Sequence, residues 1–291
     1  MQVLLLASAL AMVREQSLTY LQLWVLASAM GLAAGIVGIT VAHELLHGRS
    51  RMERAMAHCL LLLVSYPHFA LLHRHGHHRH LATLNDPATA RLGENLYAFL
   101  WRSITGGLRF CWRVEARRLR CHGKSIWNPS NRLLQHAGQL FLIYVVVAAI
   151  AGLPGLLLFA LQSAVSVFFL EAVNYMQHYG LLRARISRHR YEPVAPRHCW
   201  DSRHPVSNAL LFNLGYHADH HCTPRRPYNA LTNQADAPQL PAGYPTMFVI
   251  ALFPPFWQWL MDNRVPQQIS NASVQFATAR LGENSLEEMI P

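Results

Sequence analysis

Nine histidines in four short clusters carry the chemistry that this chain can perform. The first cluster is His43-Glu44-Leu45-Leu46-His47. Its i,i+4 spacing puts both imidazoles on one face of a helix. The second is His73-Arg74-His75-Gly76-His77-His78, in which His73 and His77 repeat that spacing and His78 is adjacent. The third is a single histidine, His178, inside Asn174-Tyr175-Met176-Gln177-His178-Tyr179-Gly180-Leu181. The fourth is His217-Ala218-Asp219-His220-His221, where i,i+3 and i,i+4 spacings converge on one helix face.

Taken alone, any one cluster is ordinary. The first has the spacing of a zinc-protease HExxH helix, and a lone histidine beside an apolar run is usually a satisfied interface residue. The conjunction points to metal. One ion rarely takes more than six ligands, so nine imidazoles predict two metal ions with open positions. Neutral imidazole suits Fe, Zn, Cu or Ni, so ligand type leaves the metal open. Two divalent ions held by neutral ligands need nearby negative charge. Glu44, Asp86, Glu171 and Asp219 are placed to accept the remote ring N–H groups, or to serve as plain helix-end and loop acids.

The elements that must position these rings are apolar helices. Leu18 to Ala42 is uncharged and long enough for a bilayer core, which takes about 20 helical residues. Its Gly31 and Gly35 have the spacing of close helix packing. Leu4 to Val13 reads as part of a span, lacking a basic leader and a clear cleavage site. Further runs cover Ala55 to Leu72, Leu133 to Ile150 and Leu156 to Tyr175; the last two flank the turn signal Gly152-Leu153-Pro154-Gly155 and predict a helical hairpin. Tyr244 to Met261, interrupted by Pro254 and Pro255, reads as either a span or an interfacial helix.

Chain parity then places clusters two and four and His178 on one side of the membrane. Cluster one joins them only if Ala55–Leu72 does not cross fully, or breaks near Pro67. A straight helix of that length would carry the chain about 27 Å and strand the first cluster. Arginines flank the runs: Arg49, Arg51 and Arg54, Arg102 through Lys124, Arg183 through Arg190, and Arg225 with Arg226. By the positive-inside rule they face the cytoplasm, and so do the histidines.

Composition narrows the classes. Among 291 residues, 52% are hydrophobic and only 14% charged, which fits neither disorder nor a simple soluble domain. Eighteen histidines are two to three times an ordinary share, and the five cysteines form no CxxC pair, against a zinc ribbon, an Fe–S cluster or a disulfide framework. The charge of +10 lies beside apolar spans and forms no separate basic module, against nucleic-acid binding. The expected fold is an all-α integral membrane protein. It is a bundle of about four transmembrane helices with a cytosol-facing histidine site, one domain over residues 1–265 and a polar tail over 266–291.

The four clusters, in order, resemble the signature motifs of bacterial membrane alkane 1-monooxygenases, nine-histidine di-iron hydroxylases of the histidine-box superfamily. The flanks are similar too: Arg79-His80-x-Ala82-Thr83, Asp86-Pro87-Ala88, Arg91-x-Gly93-Glu94, Thr223-Pro224-Arg225-Arg226 with Tyr228, and Ala237-Pro238-Gln239-Leu240-Pro241-x-Gly243-Tyr244. The resemblance runs from about residue 40 to 265. It covers xylene and cymene methyl hydroxylases as well, so it does not fix the substrate. Three departures stand out. Gln177 replaces the usual Glu, Gly215-Tyr216 replaces the usual Gln-Arg, and only 42 residues precede His43 where relatives generally carry further spans. A short front end implies a truncated reading frame or a cavity built from fewer helices. The segment Thr-Ala-Arg-Leu-Gly-Glu-Asn occurs at 89–95, within a family motif, and again at 278–284.

What the resemblance implies is two Fe ions held by His43, His47, His73, His77, His78, His178, His217, His220 and His221, with O2 as co-substrate. It implies hydroxylation of the terminal methyl of an alkane or alkyl-aromatic in a bacterial inner membrane. No flavin, haem or Fe–S motif is present, so electrons would come from rubredoxin or a ferredoxin-type donor, for which Arg102–Arg120 and Arg183–Arg190 offer a basic docking face. Other readings stay open: a fatty-acid desaturase or lipid hydroxylase, a histidine-lined metal transporter or b-type haem protein, or an inactive truncated homologue.

Overall fold

The computed structural model describes residues 1–187 and 190–266. The second copy of the repeat and nearly all of the expected tail lie outside these residues. Helix α1 (Gln2–Glu15) is followed by α2 (Tyr20–Ala33), which starts at a reciprocal cap. The Thr19 hydroxyl accepts from Gln22 N (3.3 Å), while the Gln22 side chain accepts from Thr19 N (2.9 Å). A π-turn over Ala34–Ile39 continues α2 into α3 (Thr40–Leu46). Tyr20–Leu46 is thus one apolar helical segment long enough to cross a membrane.

Helix α4 (Arg51–Leu62) starts at a second reciprocal cap between Ser50 and Glu53 and stops well short of a bilayer's width. Ser65 adopts a left-handed conformation (φ 53°), Tyr66 N donates back to Leu61 O and Ser65 N to Leu62 O. This is a Schellman termination with proline following it, so the apolar run breaks where Ser65-Tyr66-Pro67 reads. The chain turns back through α5 (Phe69–Leu72), a π-turn over His73–His77 and the single turn α6 (His78–His80). The Ala55–Leu72 run thus breaks, as bringing the first cluster to the others requires.

Helix α7 (Leu96–Cys121), capped by Asn95, leads to α8 (Arg132–His178), capped by Asn131. α8 is the second segment apolar enough to cross a membrane, and it folds on itself. Gly152 breaks the helix (φ 59°, ψ −153°), two residues before Pro154. The Tyr144 and Phe159 rings lie 5.1 Å apart, and the Ser65 hydroxyl bonds both the Tyr144 hydroxyl and the Ser163 hydroxyl at 3.2 Å. A continuous helix would separate residues 144 and 159 by about 22 Å, so residues 132–151 and 153–178 are antiparallel limbs, the hairpin expected from the sequence. Leu21, Trp24, Phe141, Leu142 and Val146 face outward, as on a helix in lipid. Gly31 and Gly35 bring α2 onto the descending limb of α8. A Cβ at Gly31 would lie 2.6 Å from Val165 Cβ, and one at Gly35 would lie 3.2 Å from the Phe169 ring.

The remaining elements are short: a ribbon of β1 (Arg185–Ser187) with β2 (Arg190–Tyr191), α9 (Pro205–Leu210), α10 (His217–Cys222), α11 (Tyr244–Ala251) and α12 (Pro254–Met261). The run Tyr244–Met261 is two eight-residue helices, each about 12 Å long. Neither can cross alone. They close a core in which Tyr175, Tyr179, Trp200 and Trp257 pack together.

Candidate metal centre

All nine cluster histidines come together, in two groups. His43, His47, His73, His78 and His220 form one; His77, His178, His217 and His221 form the other. Within each group the ligand atoms lie within 4.8 Å of one another. The four clusters are boxes one to four, and box one contributes an ordinary α-helical i,i+4 pair. Box two does not: the ring that joins His73 is His78, at 2.9 Å between Nε2 atoms, while His77 turns to the second group. In an α-helix, residues five apart point about 140° away from each other. The π-turn over His73–His77 widens the turn and puts i and i+5 on one side. Gly76 permits it, since a Cβ there would meet the Phe110 ring at 2.9 Å. On α10, His217 and His221 serve the second group and His220 the first.

The Nε2 atoms point at one another. His47–His73 are 3.0 Å apart, His78–His220 3.3 Å, His178–His217 3.1 Å, His217–His221 2.9 Å and His77–His221 3.2 Å. With a metal–nitrogen bond of about 2.1 Å, ligands at right angles sit about 3.0 Å apart and tetrahedral ones about 3.4 Å apart. The donor set fits one ion in each group. Most of the rings are buried; His47 and His78 are half-buried. Burial first, then neighbouring imidazoles, holds His73, His78, His217, His220 and His221 well below the ordinary histidine range. Burial, then Arg74, brings His47 to about 4. These rings are neutral at pH 7, with lone pairs free to coordinate.

The four candidate acids part company. Asp86 accepts from His77 Nδ1 at 2.9 Å, from the Thr89 hydroxyl at 2.7 Å and from Ala88 N at 3.0 Å. Burial alone would raise its carboxyl, but His77 and Thr89 overcome this and hold it below the usual range. Asp219 instead binds Arg226 (2.6 Å) and Thr232 N (2.9 Å), fixing the loop after box four. Glu44 accepts from Tyr228 N at 3.1 Å. Glu171 accepts from the Tyr66 hydroxyl at 3.0 Å and the Ser103 hydroxyl at 2.6 Å, joining the turn after α4 to α7 and α8. Gln177, at the position of the family departure, donates to the Tyr244 hydroxyl at 2.9 Å.

One supporting segment carries no sequence signal. Residues 199–202 stitch the last two boxes together. Trp200 N donates to Gln177 O, its indole N–H to Tyr179 O, and Ser202 N to Gly215 O, all within 2.9 Å. Asp201 Oδ1 accepts from Ala218 N at 2.7 Å, anchoring the first turn of α10. Burial raises Asp201 to about 6 despite the backbone donors around it. The first TARLGEN copy is a second brace. Thr89 orients Asp86, Glu94 pairs with Arg102 at 2.7 Å, Gly93 N reaches the Tyr179 hydroxyl and Asn95 caps α7. Arg102 also binds the carbonyls of Pro87 and Thr89, and the buried Arg183 binds those of Arg79 and Glu192. These two arginines are internal fasteners, where cation counting had put them on a docking face.

A narrow cavity of about 30 Å³ touches His43, His73 and His217 and so reaches both groups. Gly35, Ile39, Phe69, Phe169, Val173 and Leu214 give it apolar walls, with Thr40, Asn174 and Gln177 as polar points.

The profile of the fatty acid desaturase family matches residues 18–251. Alkane 1-monooxygenase 1 of Alcanivorax borkumensis is 40% identical over 253 residues, 87% of this chain and 62% of that protein. Alkane 1-monooxygenase of Pseudomonas putida is 39% identical over 253 residues, 87% of this chain and 63% of that protein. The hydroxylase component of xylene/toluene monooxygenase from Pseudomonas putida is 30% identical over 225 residues, 77% of this chain and 59% of that protein. The chain spans about three-fifths of the length of the curated relatives it matches.

Proposed function

The chain belongs to the fatty acid desaturase family, and from that premise we propose that it is an O2-dependent di-iron hydroxylase acting on the terminal methyl of an alkane or alkyl-aromatic. The observation that carries the reading is the convergence of nine imidazoles into adjacent groups of five and four with spacings suited to one ion each. In this reading residues 1–265 are one membrane-embedded domain. The Tyr20–Leu46 segment, the two limbs of α8 and the surrounding short helices form the bundle, and the histidines lie on the cytoplasmic side of the bacterial inner membrane. Rubredoxin or a ferredoxin-type protein supplies electrons.

An unactivated C–H bond offers no acidic proton and no electrophile, so side-chain acid–base groups cannot attack it. When bound, the iron pair would supply O2 reduction and delivery of one oxygen atom to carbon. The protein supplies placement. Neutral rings leave Nε2 free to coordinate, and Asp86 fixes the tautomer of His77 by accepting the hydrogen bond of its Nδ1–H. Phe69, Phe169 and Val173 hold an alkyl end in the cavity beside His43, His73 and His217 and keep water from it. Each buried methylene contributes about 0.8 kcal/mol. The apolar walls favour hydrocarbon over a polar substrate, and binding is read out in chain-length preference.

The test is metal analysis and product analysis on the purified protein in lipid, supplied with an electron donor and with octane, p-xylene or an acyl lipid. About two irons per chain and a terminal alcohol are expected. A new double bond without alcohol would assign a desaturase, and tight binding of another metal with no O2 consumption would remove the oxygenase reading altogether.

A further inference from the structure

An open cleft of about 520 Å³ lies between α7 and the loop that holds Asp86, and it touches none of the nine histidines. Leu84, Asn85 and Pro87, the neighbours of Asp86, form one wall. The other wall is α7, with Phe110 and Val114 as apolar surface and Arg113 and Arg117 on the rim. The two walls meet closely at Gly106, where a Cβ would lie 3.2 Å from Pro87. Phe110 is shared with the metal centre. It is the ring that a Cβ at Gly76 of box two would meet at 2.9 Å, and it stands 6.0 Å from the His80 ring. Arg109 continues the row of Arg113 and Arg117 at the same four-residue spacing. All three are exposed, and their guanidinium groups find no partner among the described residues. The ion pairs of α7 belong instead to Arg102, with Glu94, and to Arg118, with Glu115. Among the described residues no carboxylate lines the cleft.

Like charges four residues apart destabilise a helix, and nothing within the fold offsets these. The same helix exposes large apolar side chains: Trp101 is 75% exposed, and Tyr97 and Leu108 also face outward. Its first half therefore presents aromatic and aliphatic surface and its second half presents cations. That order matches the boundary between acyl chains and headgroups, where Trp and Tyr collect and basic residues reach phosphate. We propose that this cleft binds the headgroup phosphate of an anionic phospholipid, and that the bound lipid braces the wall that carries Asp86. The inference rests on the reading of the chain as membrane-embedded and is independent of the reaction it performs. A guanidinium meets phosphate through paired N–H groups. An acidic protein or free phosphate would satisfy the cations and leave Trp101 and Leu108 in water, whereas a lipid covers both. Two contacts lead from the cleft toward the histidines. Pro87 adjoins Asp86, which accepts from His77, and Phe110 packs against the π-turn of box two.

The experiment uses the full chain in detergent micelles, titrated with short-chain phosphatidylglycerol, with short-chain phosphatidylcholine and with inorganic phosphate. Bound lipid is counted by native mass spectrometry, and the melting temperature is recorded at each step. The variants are Arg113→Gln/Arg117→Gln, the single change Arg117→Gln as a milder probe, and Arg49→Gln/Arg225→Gln in the cleft beside His47 as a control. An arginine at an anionic lipid surface is worth about fivefold in affinity. The double variant should therefore bind phosphatidylglycerol roughly 30-fold more weakly than the parent, with Arg117→Gln between them and the control unchanged. Phosphatidylglycerol at about ten times its dissociation constant should raise the parent's melting temperature by about 3–5 °C, and phosphatidylcholine or inorganic phosphate should not. Equal melting in phosphatidylcholine shows that the variants are folded. Equal binding of the two lipids by the parent, an unchanged preference in the double variant, or full stabilisation by inorganic phosphate alone would overturn the assignment. So would an α7 variant that loses rubredoxin binding and keeps its lipid. Lipid bound without a rise in melting temperature would refute the bracing role. The titration needs neither metal nor turnover, so it is scored even if the chain proves not to be an oxygenase. Recovery in carbonate-washed membranes is measured alongside: a chain washed off refutes the membrane reading, and a chain retained but indifferent to phosphatidylglycerol refutes the lipid site alone.

Discussion

Replacing Asp86 with asparagine tests how the second histidine group is held. The side chain is isosteric, fully buried, and sits at the meeting point of His77 Nδ1, the Thr89 hydroxyl and Ala88 N. A carboxylate can accept from all three. An amide keeping its oxygen on Ala88 N turns its NH2 toward two donors. His77 then either loses this bond or moves its proton to Nε2, which removes the lone pair that faces His221 at 3.2 Å. Loss of one hydrogen bond to a charged group costs about 1.5–3 kcal/mol. That corresponds to roughly 10–100-fold in metal affinity, the range typical of such supporting partners. The assay is competition against chelators of graded strength, with metal per chain read by mass spectrometry, and Asp219→Asn as the comparison because Asp219 binds Arg226 and Thr232. The pH dependence has a definite sign. The Asp86 carboxyl is held below its ordinary value, so its contribution to stability is present above about pH 4, the unfolded value, and disappears as pH falls through the folded one. The advantage of the parent chain over Asp86→Asn should shrink in acid. Unchanged chelator competition in Asp86→Asn, or an equal loss in Asp219→Asn, would refute the reasoning.

Three more outcomes are expected. Gly76→Ala should disturb the π-turn of box two, because the new Cβ meets the Phe110 ring and Leu72; overpacking of this kind costs about 1–3 kcal/mol, seen as a lower melting temperature with reduced metal content. Gly31→Ala drives a methyl into Val165 and the Gln162 carbonyl at 2.6–2.7 Å, so it should lower the melting temperature by separating α2 from α8 while leaving the histidine groups able to bind metal in surviving folded protein. Asp201, raised to about 6 by burial, stabilises the fold less as pH rises from about 4 through 6. Parent stability relative to Asp201→Asn should fall by about 3 kcal/mol across that window, and parallel pH–stability curves for the two chains would contradict it.

The ligands were legible because imidazole is scarce and its spacing is diagnostic, and the hairpin was legible because Gly152 and Pro154 interrupt an otherwise uniform apolar stretch. The break in the Ala55–Leu72 run was legible too, at Pro67, although the helix ends at Leu62 and Ser65, two residues before the proline, takes a left-handed conformation. The partner of each ring was not. Pairing His73 with His78 depends on one additional residue in a turn, and only Gly76 hints at it. Asp201 was invisible for a different reason: a single acid in an irregular segment gains its meaning from Ala218, which no periodicity links to it. Counting cations likewise misplaced Arg102 and Arg183. Charge predicts the side of a membrane, but a guanidinium that finds several backbone carbonyls is drawn inward by them.

The order of the ligands along the chain also sets an order of construction. The chain emerges from the ribosome with its apolar helices first, and a polypeptide halted just before Trp200 already owns four rings of the quintet but only two of the quartet, His77 and His178. The five-histidine group is therefore nearer completion at that stage than the four-histidine group. Both groups close only when the final third of the chain brings His217, His220 and His221.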